Sequence, residues 1–177
     1  MAKILALAGS NSSTSINYKL VRYTTSLIEN HEILELDMSN FPFPMYSADI
    51  EVKNGYSNSM IEFMNDIKSA RALVLSVNEH NGNLSAYFKN CLDWLSRIER
   101  KFLQDTKVLL MATSPGKRGG VGALTIASSL LPRFGAEIIS TFSLPDFSEN
   151  FDSNKGIINE KQIEMHQKAL QSFLAVI

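Results

Sequence analysis

The sequence predicts an α/β three-layer sandwich built on a five-stranded parallel sheet. Two observations carry that prediction. Short apolar runs without polar alternation, such as KILALA (3–8), ALVLSV (72–77) and KVLLMA (107–112), read as strands buried on both faces. Segments with apolar residues at helical spacing separate these runs. Strand and helix thus alternate five times, the pattern of parallel βαβ units.

The first strand, Lys3 to Ala8, closes on Gly9-Ser10. A helix from Ser15 to Glu29 sets Ile16, Leu20, Tyr23 or Thr24, and Leu27 at helical spacing, with Ser15 as its N-cap. Glu32 to Asp37, EILELD, alternates and suits a strand nearer the edge. Met38 to Tyr56 is expected to be a connection, because FPFPMY forms neither a central strand nor a helix. Helical spacing resumes from Ser57 to Lys68, and Ala72 to Val77 is the third strand. Leu84 to Ile98 is a helix with Tyr87, Phe88, Cys91, Leu92 and Leu95 along one side. Lys107 to Ala112 is the fourth strand, followed by a helix from Ala123 to Phe134 that Gly135 terminates. Glu137 to Phe142 is the fifth strand, Asp146 to Gly156 an exposed loop, and Glu160 to Val176 the closing helix. Right-handed crossovers and five strands favour the flavodoxin-like order 2-1-3-4-5. Residues 1–177 are expected to form a single domain.

The totals narrow the function. Seventeen Lys+Arg against eighteen Asp+Glu argue against a nucleic-acid binder or a membrane-surface protein. No apolar run has transmembrane length, and the N-terminal run is too short for a signal-peptide core, so the cytoplasm is the expected compartment. The single cysteine, Cys91, has no partner within the chain, and no Cys/His cluster has metal-ligand spacing.

In the predicted topology, ligands bind at the carboxyl ends of the strands around the switch point. Three unusual loops meet there. GSNSSTSIN (9–17) offers hydroxyls, amides and free N–H groups at a helix start, which suits a terminal phosphate. It also reads as a plain polar loop with an N-cap. NEHNG (78–82) brings Asn78, Glu79, His80, Asn81 and Gly82, and His80 reads either as an acid–base group or as a flat cavity wall. SPGKRGG (114–120) brings Ser114, Pro115, Gly116, Gly119 and Gly120, either to admit a flat ligand close to the backbone or as a flexible connection. Lys117 and Arg118 read either as its solvated tip or as cations that attract a phosphorylated reductant. No Ser/His/Asp triad can be assembled, and His31 and His166 read as structural.

These residues resemble the NAD(P)H-dependent FMN reductases, a flavodoxin-like family with relatives acting on quinones, azo dyes and chromate. The first family motif, G-S-x-R-x-x-S-x-N, is matched at Gly9, Ser10, Ser15 and Asn17, with Ser12 in place of arginine. The second, P-E-Y-N-x-S-x-P then L-K-N-x-I-D-W, has Asn78-Glu79-His80-Asn81 and Phe88 to Trp94 at its positions, with both prolines lost, at Asn78 and Ser85, and tyrosine replaced by His80. The third, S-x-G-x-x-G-G, is whole in Ser114, Gly116, Gly119 and Gly120. The resemblance implies an enzyme that takes hydride from NADPH or NADH onto FMN and passes it to flavin, quinone or another acceptor. It implies phosphate contacts at Ser10, Ser12, Ser15, Ile16 and Asn17, and ring contacts at residues 78–82, Ser114, Pro115, Gly116, Gly119 and Gly120. No catalytic side chain is required, because the chemistry is on the flavin. A homodimer or dimer of dimers follows from the same resemblance, with Phe88, Asp93 and Trp94 near the contact. A flavodoxin-type electron carrier, or an FMN-less binding module of the same fold, remains open at this point.

Overall fold

Alternation along the central strands divides the core in two. Leu5 and Leu7 of the first strand, Leu73, Leu75 and Val77 of the third and Leu110 and Ala112 of the next point into one apolar cluster. Their sequence neighbours Ile4, Ala6, Ala72, Val74, Leu109 and Met111 point into a second. A sheet apolar on both faces must be covered on both, and the helices do this.

The computed structural model describes residues 1–177. Its elements are β1 (Lys3–Ala8), α1 (Ile16–Ser26), β2 (Glu32–Leu36), a 3-10 turn (Met38–Asn40), α2 (Ala48–Asn54), α3 (Asn58–Ser69) and β3 (Ala72–Val77). A hairpin of β4 (Glu79–His80) and β5 (Asn83–Leu84) leads to α4 (Ala86–Ile98), β6 (Lys107–Thr113) and α5 (Val121–Leu130). A second 3-10 turn (Leu131–Phe134) precedes β7 (Glu137–Leu144), α6 (Phe147–Asn150), a hairpin of β8 (Phe151–Asp152) and β9 (Gly156–Ile157), and α7 (Glu160–Leu174). The main sheet runs β2-β1-β3-β6-β7, all parallel, which is the expected order. Buried side chains of α3, α4 and α5 fill one cluster, and those of α1 and α7 fill the other. No helix is long and apolar enough to cross a membrane.

Three readings need correction. The connection from Met38 to Tyr56 contains a helix, α2, capped by Ser47 and ended by Gly55 at φ 65°. The loop from Asp146 to Gly156 contains a helical turn and most of the β8–β9 hairpin, and its Phe147 and Gly156 are buried. The helix expected to end at Phe134 leaves α geometry after Leu130, because Pro132 has no N–H to continue it. Phe88 and Trp94, expected beside a subunit contact, are 6% and 3% exposed within the single chain, and Trp94 Nε1 donates to Pro44 O at 2.8 Å. Asp93 lies nearer the surface and pairs with Lys89.

Cys91 is buried, and burial pushes its thiol up to about 12, so it is an inert core residue. His166 of α7 is also buried, facing Thr24 of α1 with Nε2 2.9 Å from the hydroxyl oxygen. That hydroxyl donates to Leu20 O, so Nε2–H is the donor to it and Nδ1 is left buried without a partner. Burial lowers the His166 pKa from 6.5 to about 4. The unfolded chain then binds the proton more tightly than the native one, so this contribution is complete above pH 6.5 and is lost as pH falls toward 4. The full loss corresponds to roughly 3 kcal/mol. Urea titrations between pH 7 and pH 4.5 should show wild type losing stability more steeply than His166→Gln. Parallel pH profiles would contradict this origin.

Candidate functional site

At the carboxyl ends of β1, β3 and β6 lies a cavity of about 300 Å³. That is the lower end of the size range for small-molecule sites, about 300–1,000 Å³. The β1–α1 loop lines it with Ser10, Ser12, Thr14, Ser15, Ile16 and Asn17. The β3 end contributes Asn78, Glu79 and His80, and the β6 end contributes Thr113, Ser114 and Pro115.

The β1–α1 loop is organised by its own hydroxyls. Ser10 Oγ accepts from Ser12 N–H, Ser12 Oγ accepts from Thr14 N–H, and Ser15 Oγ caps α1 by accepting from Tyr18 N–H at 3.1 Å. The N–H groups of Ile16 and Asn17, in the first turn, have no partner within the chain. Unpartnered N–H groups at the positive end of a helix dipole have the chemistry to accept an anion. No cation lines the cavity, and Lys117 and Arg118 are exposed outside it.

Asn17, predicted as a ligand contact, is 3% exposed and does structural work beneath the cavity. Its Oδ1 accepts from Ser76 Oγ at 2.7 Å and from Thr113 N–H at 3.0 Å, and its Nδ2 donates to Thr113 O at 3.1 Å. Asn78 is the reverse case: its Oδ1 is buried and has no partner. Such an oxygen costs about 1–3 kcal/mol unless a donor reaches it. Glu79 lines the cavity, and its Oε2 accepts from Ala123 N–H of α5 at 3.0 Å. His80 is exposed, and Asn81 and Gly82, at φ 53° and 73°, form the two-residue turn of the β4–β5 hairpin. Positive φ at both positions is what a type I′ turn demands.

Five predicted residues therefore stand outside the lining: Asn81, Gly82, Gly116, Gly119 and Gly120. Gly119 and Gly120 have φ of 57° and 79°, and the chain itself uses the space at both. A Cβ on Gly119 would lie 2.4 Å from Ser143 Oγ and 2.9 Å from the Leu144 carbonyl carbon, and one on Gly120 3.1 Å from Ala112 Cβ. Gly116 has open space around it. Thr14 and Thr113 line the cavity without having been singled out. A polar residue closing the apolar run KVLLMAT was the available signal for Thr113.

The fold and the cavity define a doubly wound α/β protein with a polar, hydroxyl-rich βα loop at the switch point. A model of the NADPH-dependent FMN reductase family matches residues 2–148, and the chain belongs to that family. It is an oxidoreductase of that class, with FMN as cofactor and NAD(P)H as reductant. It is 30% identical to an NADPH:quinone oxidoreductase of Arabidopsis thaliana over 68% of this chain and 62% of that protein. Identity to an NAD(P)H-dependent FMN reductase of Pseudomonas aeruginosa is 24%, over 96% of this chain and 92% of that one. The solved structure of FerB, a flavoenzyme NAD(P)H:(acceptor) oxidoreductase from Paracoccus denitrificans, shares the fold, with TM-score 0.77, 21% identity and coverage of 99% and 96%.

The residues present fit FMN. Unpartnered N–H groups and hydroxyls suit its phosphate, and the unpartnered Asn78 oxygen suits the imide N–H of its ring. Two outcomes follow. Ser12→Arg adds a cation where none lines the cavity, and should tighten FMN about tenfold while leaving riboflavin unchanged. Flavin titrations check this, and equal gains for both flavins would place the arginine away from the phosphate. Gly119→Val should lower the thermal midpoint of the flavin-free protein, because its cost is in packing. An unchanged midpoint with weakened FMN would assign the glycine to the ligand.

Proposed function

We propose that this chain passes reducing equivalents from NAD(P)H, through FMN bound in the cavity, to free flavin, a quinone or another small acceptor. The observation that supports this most directly is the pair of unmet hydrogen-bonding demands in one cavity. Donors without acceptors come from Ile16 and Asn17 of one loop, and an acceptor without a donor comes from Asn78 of another. FMN supplies a ring that takes up hydride and gives it up again, so the chain's part is to bind, orient and set the electrostatics.

The named groups divide that part. Ser10, Ser12 and the first turn of α1 hold the phosphate end. Asn78 orients the ring through its imide edge. Asn17 and Thr113 keep the two loops at a fixed separation. Glu79 and His80 are the cavity's only ionisable lining groups, and neither is asked to move a proton. A homodimer or dimer of dimers, in the cytoplasm with its nicotinamide reductant, belongs to the same reading.

Added FMN should lose fluorescence on binding. NAD(P)H oxidation should give parallel steady-state lines against acceptor concentration, since one ring face serves donor and acceptor in turn. Absence of any spectral change at saturating FMN would overturn the reading, and intersecting lines would overturn the alternating use of one face. Sedimentation checks the oligomeric state.

A further inference from the structure

Every helix longer than one turn, except α5, begins under a side-chain cap of its own, from Ser15, Ser47, Ser57, Ser85 or Asn159. α5 begins at Gly120, which has no side chain to offer. Its cap comes from a distant part of the chain: Glu79 Oε2, 44 residues away, accepts from Ala123 N–H. The helix leaves room for that carboxylate. A Cβ on Gly122 would lie 2.7 Å from Glu79 Oε2 and 2.9 Å from Gly82 O. Glu79 also lines the cavity, so its charge stands between the cavity and the positive end of α5.

We propose that Glu79 is a positioning residue with two separable effects on bound flavin; this rests on the reading of the cavity as the FMN site. Its acceptor oxygen locks the β4–β5 hairpin, with Asn78 at its foot, to the first turn of α5. Its negative charge offsets the helix terminus and disfavours added negative charge in the cavity. Glu79 thereby holds the midpoint potential of the bound flavin more negative than a neutral residue would.

Two variants separate the effects. Glu79→Gln keeps an acceptor oxygen and removes the charge, whereas Glu79→Ala removes both. In the flavin-free protein, Glu79→Ala should speed amide hydrogen exchange across residues 121–124, and Glu79→Gln should not. Glu79→Ala should weaken FMN and riboflavin alike, by about tenfold, as expected for an orphaned partner of a charged acceptor. Glu79→Gln should nearly keep the affinity and shift the midpoint potential of bound FMN to a less negative value. Gly122→Ala, which pushes on the same carboxylate from the helix side, should reproduce the exchange and affinity changes of Glu79→Ala. Native exchange and affinity in Glu79→Ala would overturn the lock, and a wild-type potential in Glu79→Gln would overturn the electrostatic effect. A wild-type protein that binds no FMN would overturn the cofactor reading instead, while the exchange data would still decide the lock.

Discussion

One buried amide holds the ligand end of this fold together. Asn17 stands in the first turn of α1, yet its three side-chain hydrogen bonds all reach across to β3 and β6. Strand ends are where the parallel ladder runs out and backbone groups lose their partners. Asn17 takes both the N–H and the C=O of Thr113 and satisfies the hydroxyl of Ser76. Removing it leaves several buried groups unpaired at once, each costing about 1–3 kcal/mol. Leucine shares the branched skeleton but supplies neither donor nor acceptor. The separation of the β1–α1 loop from the β6–α5 loop, and so the width of the cavity, depends on this bridge.

Two further ties extend the pattern. Ser85 caps α4 by accepting from Phe88 N–H, and it donates to Gly9 O at 2.8 Å, fixing the end of β1 to the start of α4. Gly9 sits so close to that helix that a Cβ would stand 2.8 Å from the Phe88 ring. Glu79 ties the β3 end to α5. Each of the three loops is thus fixed to an element other than its own, by a side chain that hydrogen-bonds a backbone group there. Such a rim is preformed before a ligand arrives, which limits the ordering cost of binding.

The sheet was legible because buried parallel strands read as unbroken apolar runs, and its order followed from strand number and handedness. What escaped lacks an apolar period. α2 buries no residue, and polar contacts hold it in place: Glu51 accepts from Arg97, Tyr46 and Tyr56. Those hydrogen bonds, that from Arg97 foremost, lower the Glu51 pKa. The β8–β9 hairpin closes through Asp152 Oδ1, which accepts from Asn154 and Lys155 N–H, while Gly156 lies against the Tyr23 ring. In the sequence DSNKG signals only a turn. The lining from Ser10 to Asn17 and from Asn78 to His80 could be read from residue type and position after a strand. The use made of Gly119 and Gly120 could not, because a glycine announces free space without saying whether a ligand or the chain itself fills it.

The departures from the family pattern are coherent in physical terms. Proline offers neither an N–H nor a polar side chain, and both lost prolines are replaced by residues that hydrogen-bond or can do so. Ser85 gains a cap and a tie to β1, and Asn78 brings an unpartnered oxygen to the cavity. At Ser12 the change runs the other way, from a charged fork to a hydroxyl engaged with Thr14. In the proposed pose, the chain gives up charge at the phosphate end and gains directed hydrogen bonding at the ring end. An arginine–phosphate contact distinguishes FMN from riboflavin, because only one of them carries the phosphate. A bond to the imide edge does not, because both share the ring. In that pose the balance of these two ends sets how sharply the site selects the phosphorylated flavin, and it lies toward the ring.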